Sequence, residues 1–250
     1  MPMLNNRGML NPYKKLSRVY DKGWGDFSIQ YVSLVNGLLQ ERGVNKARIL
    51  DIACGTGILA LELARCGHTV HGTDISPEMI DIAKTKAIGL PNLSFAVKDM
   101  TRFRSEGKFD MVTCTFDSIN YLRRLYDVRK MMYSVASVLD SGGIFLFDSN
   151  TKYLYIKHKD ELLKREINGE EFLHMCEYRT RGNIATTTFS FSDGTYEIHR
   201  QRPYHYDEIK PLLDKAGLHT LHLFSWFERL PYSSNTPKFF CVTEKSSELL

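Results

Sequence analysis

Three aspartates close three successive apolar runs: Asp51 in I-L-D-I-A-C-G-T-G (Ile49 to Gly57), Asp74 in V-H-G-T-D-I-S, and Asp99 in A-V-K-D-M. Each run reads as a buried strand ended by turn residues. The three carboxylates therefore project from one edge of a parallel sheet, where open α/β folds bind ligands. Gly55 and Gly57 allow the backbone around Ala53 and Cys54 to approach a ligand closely, and the amides of the following helix face it. Read alone, G-T-G-I-L-A also satisfies the dinucleotide fingerprint, with Asp74 placed as a ribose acceptor. Asp51 weighs against that reading, because a carboxylate beside the loop repels a pyrophosphate and attracts a ligand that brings cations. Asp74 can accept from both hydroxyls of a ribose and Asp99 from an adenine amine, with Ile75 and Met100 on either side of the ring and Met79 beside them. Any one of these acids alone would read as a helix cap.

A second group of polar residues follows the fourth strand, in F-D-M-V-T-C-T-F-D-S-I-N-Y-L. Thr115, Phe116 and Tyr121 belong beside the reacting group, and Asp117 is the candidate to orient an amine or take its proton. Its alternative role is to cap the next helix. A third group, I-H-R-Q-R-P-Y-H-Y, offers His199 as a base and Arg202 and Tyr204 as contacts to an anionic or hydroxyl-bearing molecule. The plainer reading is a strand edge protected by charge. Tyr13 and Tyr20 lie two helical turns apart on one face, which alone reads as core packing.

These side chains need a scaffold, and the periodicity supplies one. Strands at 47–52, 68–73, 93–97, 109–113, 143–148, 218–226 and 238–244 alternate with helices at 57–66, 77–86, 125–139 and 206–216. This predicts an α/β fold, a doubly wound and mostly parallel seven-stranded sheet. Two helices, 12–20 and 27–40, precede it within a cap spanning 1–44. The binding domain occupies 45–149 and 206–250. Residues 150–205 form an insertion after the fifth strand, with a helix near 152–165 and an antiparallel meander at 171–181, 184–191 and 195–204.

The 250 residues can bury a full core without metal or disulfide staples. A net charge of +4, dispersed along the chain, makes no nucleic-acid footprint by itself, although basic residues at 123–130 and 200–202 keep RNA open as a partner; DNA is not expected. Five cysteines without metal spacing suggest reduced thiols, and the expected location is the cytoplasm. The first residues, M-P-M-L-N-N-R, lack the apolar core of a signal peptide, and no segment is apolar enough to span a membrane. A monomer or a homodimer is expected.

The motifs L-D-I-A-C-G-T-G, G-T-D-I-S and K-D-M recur in this order in the class I methyltransferase family, which residues 45–150 closely resemble and 200–245 resemble more loosely. The resemblance implies S-adenosylmethionine as cofactor, S-adenosylhomocysteine as product and no metal. It places Gly55 and Gly57 against the methionine part, Asp74 on the ribose and Asp99 on the adenine. The F-D-S-I-N-Y-L run, the tyrosine-bearing N-terminus and the meander look like the small-molecule branch of sugar-amine N,N-dimethyltransferases and glycine N-methyltransferase-like enzymes. In that branch N-terminal tyrosines close over the cofactor, a role that Tyr13 and Tyr20 match. The expected reaction is methyl transfer to nitrogen, or less readily to oxygen, of a small molecule. An RNA-modifying enzyme and a non-catalytic regulatory module are the alternatives.

Overall fold

The apolar runs become strands because each finds cover on both faces. The computed structural model describes residues 8–104, 107–227 and 229–246; the reading of a missing signal peptide at 1–7 lies outside them. In chain order the elements are β1 (Met9–Leu10), α1 (Ser17–Glu41), β2 (Arg48–Ile52), α2 (Ile58–Arg65), β3 (Thr69–Asp74), α3 (Pro77–Lys86), β4 (Leu93–Val97) and β5 (Phe109–Cys114). There follow α4 (Leu125–Val138), β6 (Leu139–Asn150), α5 (Lys152–Lys157), β7 (Leu162–Ile167), β8 (Glu170–Arg179), β9 (Ile184–Phe191) and β10 (Tyr196–Gln201). The chain closes with α6 (Tyr206–Lys215), β11 (Leu218–Ser225), β12 (Leu230–Pro231) and β13 (Lys238–Lys245).

The main sheet runs β12-β11-β13-β6-β5-β2-β3-β4, the seven expected strands plus the two-residue β12 at one edge. Strands β2 to β6 pair in parallel, whereas β13 is antiparallel to both β6 and β11. Alternate residues serve opposite cores. Ile49, Ile144, Leu146, Phe240 and Val242 meet α1, α2 and α3, and Leu50, Phe145, Phe147, Phe239 and Cys241 meet α4 and α6. The order of pairing reverses direction between β2 and β5, so the loops leaving these two strands open a crevice at the carboxyl edge.

The four strands of the insertion and the N-terminal β1 form a separate five-stranded sheet, β1-β10-β9-β8-β7. The helix expected over 152–165 ends at Lys157, and Leu162–Ile167 is a strand. Its exposure alternates residue by residue, the period of a half-covered strand.

The two expected N-terminal helices are also corrected. Phe27 to Gln40 belongs to one continuous helix, α1, which runs through Gly23 and Gly25. A Cβ at Gly23 would stand 2.9 Å from Ile167 Cδ1, and one at Gly25 2.9 Å from Ile58 Cδ1, so these glycines admit close neighbours. Residues 12–16 are turn, with Tyr13 at φ +67°, so Tyr13 and Tyr20 do not share a helical face. Their rings meet edge to face at 5.8 Å all the same.

Gly57 is constrained both by its backbone and by its neighbours. It holds φ +78°, and a Cβ there would lie 2.5 Å from Phe95 Cζ. Gly57→Ala should therefore cost about 2 kcal/mol or more, a fall in Tm of roughly 4–8 °C by thermal unfolding. An unchanged Tm would mean the loop does not need this backbone.

Candidate active site

The loop from Ala53 to Gly57 leaves β2 in a left-handed course, with φ +54° at Ala53 and +56° at Gly55. Asp74 holds it: Gly55 N donates to Oδ2 at 2.9 Å and Ser76 N to Oδ1 at 2.8 Å. Among the described residues these amides leave the carboxylate able to accept from a hydroxyl as well. Helix α1 secures the same loop, since Thr56 Oγ1 and Lys86 Nζ both bond the Asp21 carboxylate and Lys86 also donates to Thr56 O at 2.9 Å.

Over this loop lies a cavity of about 720 Å³. Asp51, Ala53, Cys54, Gly55 and Asp74 line its floor, whereas Gly57 stands just outside as the residue before α2. Ile75, Met79, Asp99 and Met100 line it further along the edge. Ile75 is 68% exposed, an apolar side chain left bare over the cavity. Asp99 Oδ1 accepts from both the amide and the hydroxyl of Thr101, at 2.8 and 2.9 Å, which fixes the carboxylate's direction. Thr115 and Phe116 complete the lining from β5.

A second cavity of about 590 Å³ lies between the main sheet and the inserted one. Tyr13, Tyr20, Phe116 and Tyr121 line both cavities and form the wall between them. The two expected lid tyrosines thus stand at the junction.

From that wall a chain of hydrogen bonds runs into the inserted sheet. Tyr13 Oη is 2.6 Å from Tyr121 Oη, which is 2.8 Å from His199 Nδ1, and His199 Nε2 is 3.1 Å from Glu197 Oε2. Glu197 is 0% exposed and also accepts from the backbone amides of Tyr13, Lys15 and Leu16. Burial raises its carboxyl, but His199 and the amides of Leu16 and Lys15 outweigh burial and hold it below the usual range. An ionised Glu197 accepts only, so Nε2 carries the proton and Nδ1 presents its lone pair to Tyr121. Burial pushes the Tyr13 and Tyr121 phenols well up, which keeps them neutral.

Asp117 sits at φ +51° before the 3₁₀ turn Ser118–Tyr121, with no side-chain cap bond, and lines only the second cavity. Its carboxylate receives Gln201 Nε2 at 2.7 Å and Lys238 Nζ at 3.2 Å. Lys238 also pairs with buried Asp148, which accepts from Tyr31 Oη at 2.9 Å. Burial raises the Asp117 carboxyl, and Lys238 pulls it part of the way back.

Arg202 and Tyr204 line neither cavity. Arg202 pairs with Glu208 at 2.6 Å and lies over the Tyr204 ring, while Tyr204 is fully buried and donates to Leu122 O. They fasten the turn after β5 to the start of α6. Of the basic residues that RNA would need, Arg124 pairs with Asp127 at 2.7 Å, and Arg129 and Lys130 stand over Tyr126. The five cysteines are unpaired, and among the described residues no helix is long and apolar enough to cross a membrane.

Glu197 and Gln201 were missed in the sequence, although the signal was present. Glu197, His199 and Gln201 alternate along β10 and share its buried face, while Arg200 points out. Lys238, Asp148 and Asp21 come from distant segments and carried no local signal.

Residues 49–143 match the methyltransferase domain family. A protein of Geobacillus sp. (strain WCH70), assigned by name to the methyltransferases, is 31% identical over 249 residues, covering 93% of this chain and 99% of that protein. A glycine/sarcosine N-methyltransferase of Parasynechococcus marenigrum (strain WH8102) is 27% identical over 228 residues, covering 88% and 76%. Among solved structures, an S-adenosylmethionine-dependent methyltransferase from Clostridium acetobutylicum superposes with a TM-score of 0.81 at 24% identity, covering 94% and 99% of the two chains.

Asp51 gives this site a pH dependence. It is 1% exposed and accepts from Thr113 Oγ1 at 2.7 Å. Burial pushes its carboxyl up to about 7, against the Thr113 bond and with the charge of Asp74. A folded value above the unfolded one, about 4, means that Asp51 stabilises the ligand-free chain below about pH 4 and that this contribution is lost as pH rises through about 7. A cationic ligand favours the ionised form, so its affinity should fall toward tenfold per unit below about pH 7. Stabilisation by S-adenosylmethionine should thus grow from about pH 5.5 to 7.5 in thermal unfolding, and Asp51→Asn should flatten it. A wild-type response independent of pH would contradict this role.

Proposed function

The chain belongs to the S-adenosylmethionine-dependent methyltransferases, and from that premise we propose that it methylates a nitrogen of a small molecule held in the second cavity. The observation that carries this reading is the wall shared by the two cavities, at which the Glu197–His199–Tyr121–Tyr13 chain ends. The first cavity fits the cofactor. Its carboxylates suit a ligand that brings an ammonium, a sulfonium and a ribose, and the open directions on Asp74 and Asp99 suit hydroxyl and amine donors. When bound there, the cofactor would supply an electrophilic methyl group on a sulfonium, and its sulfur would keep the electron pair of the bond that is lost.

The protein's own part is to orient the acceptor and to take up its proton. Tyr121 donates to His199 Nδ1 and Tyr13 donates to Tyr121, so the lone pairs of Tyr13 Oη form the outer end of the chain. A proton leaving the acceptor nitrogen passes to Tyr13 Oη as the Tyr13 proton moves to Tyr121 and the Tyr121 proton to His199 Nδ1. Glu197 then stabilises the imidazolium. This is the division of labour of a nucleophile, a histidine and an orienting carboxylate, here spread over two extra phenols. Nitrogen suits the chain better than an alcohol oxygen: an ammonium loses its proton near 10, closer to the reach of an imidazole, whereas an alcohol holds it to about 16. The glycine/sarcosine enzyme among the relatives supports the same choice. Asp117, paired with Lys238 and hydrogen-bonded by Gln201, holds the base of the second cavity.

Release of S-adenosylhomocysteine from a library of small amines and hydroxyl compounds tests the reaction. Tyr121→Phe should then lower kcat by about 100-fold, as loss of a proton-transfer path does, with S-adenosylhomocysteine affinity unchanged by calorimetry. Wild-type kcat in this variant would remove the chain from the mechanism. Turnover with RNA alone, or cofactor binding with no turnover, would overturn the small-molecule reading.

A further inference from the structure

The second cavity holds three of the buried polar atoms that lack a hydrogen-bond partner among the described residues: Asn150 Oδ1, Arg165 Nε and His174 Nδ1. Their chemistry is divided by position. Asn150 ends β6 on the main-sheet side, near Asn120 and Tyr155, and its orphan atom is an acceptor. Arg165 on β7 and His174 on β8 belong to the inserted sheet, and Arg165 offers only donors.

Charge singles out Arg165. Every other ionic side chain lining this cavity has a partner of opposite sign: Asp117 and Lys238 pair, His158 pairs with Glu161 at 2.9 Å, and His199 pairs with Glu197. Among the described residues Arg165 has no ion pair. Its guanidinium rests 5.6 Å over the Trp24 ring, in a half-buried setting where an unmatched charge is costly. His174 stacks on Phe189 at 4.8 Å, and burial together with Arg165 lowers its basicity, so it adds a hydrogen-bonding nitrogen without a second charge.

We infer that Arg165 and His174 form a subsite for a carboxylate on the methyl acceptor, separated from the reacting nitrogen by several atoms. One guanidinium beside one neutral imidazole matches a monoanion, and the planar fork of arginine matches a carboxylate. The spacing follows from the aromatic stack. Tyr20, in the shared wall, lies 5.5 Å from Trp24, and Arg165 lies on Trp24 in turn. The anionic group therefore stands one aromatic layer away from the junction, beyond the reach of the two-bond spacing in an α-amino acid. An acceptor so shaped directs its amine toward Tyr13 and Asn150, and its carboxylate toward the inserted sheet.

This inference rests on the methyl-transfer reading, and the test separates the two. Protein saturated with S-adenosylhomocysteine is titrated calorimetrically with two matched pairs, 4-(aminomethyl)benzoate against its primary amide and 6-aminohexanoate against its amide. The expected result is at least one carboxylate bound about tenfold or more tighter than its amide, the preference lost in Arg165→Gln and partly kept in Arg165→Lys. Retained S-adenosylhomocysteine affinity in both variants shows that they are folded. Equal affinity of acid and amide, a preference that survives Arg165→Gln, or no binding of either pair would overturn the subsite. Tighter binding of the phosphonate analogue through Arg165 would overturn the choice of carboxylate. Failure of S-adenosylhomocysteine itself to bind would instead count against the methyltransferase reading.

Discussion

The site depends on one buried carboxylate. Glu197, on the inserted sheet, accepts the amides of Tyr13, Lys15 and Leu16 and the ring nitrogen of His199. A carboxylate without solvent must be satisfied by such donors or be protonated, and four partners keep this one ionised. In meeting that demand it fixes the turn that leads into α1 and holds Tyr13 in a left-handed conformation. It also orients the histidine. The N-terminal segment is thereby tied to the insertion, and the two together close over a sheet to which neither belongs.

The same constraint explains how the cavities differ. The first is built from strand ends and a glycine turn, and it leaves carboxylate lone pairs of Asp74 and Asp99 unclaimed. The second is lined largely by aromatic rings, and its acids are matched by Lys238, Gln201 and His158. A ligand in the first cavity therefore meets mainly open carboxylates, and one in the second meets mainly aromatic rings with a few polar groups.

The Rossmann-like half was legible because its signals are local: glycines at a turn, acids at strand ends and apolar runs of strand length all lie within short stretches. Where the reading failed, the deciding contact was remote. Gly23 and Gly25 look like a helix break, yet they admit Ile167 and Ile58 from other segments. Tyr13 looks helical by its spacing to Tyr20, but its backbone amide is claimed by Glu197. Arg202 and Tyr204 drew attention by residue type, although the alternation of β10 already set Glu197, His199 and Gln201 on the buried face and Arg200 on the other. Asp117 reads from the sequence as a polar group beside the reacting centre, and the lysine shared between it and Asp148 arrives from β13.

Methyl transfer requires the first cavity to be the donor site, and equilibrium titration of the purified chain with S-adenosylhomocysteine and with NAD tests this most directly. The expected result is one S-adenosylhomocysteine bound per chain, weakened at least about tenfold by Asp74→Asn as a charge-assisted bond is lost, with no binding of NAD. Binding of NAD in preference to S-adenosylhomocysteine would contradict it, and with it the argument that Asp51 excludes a pyrophosphate.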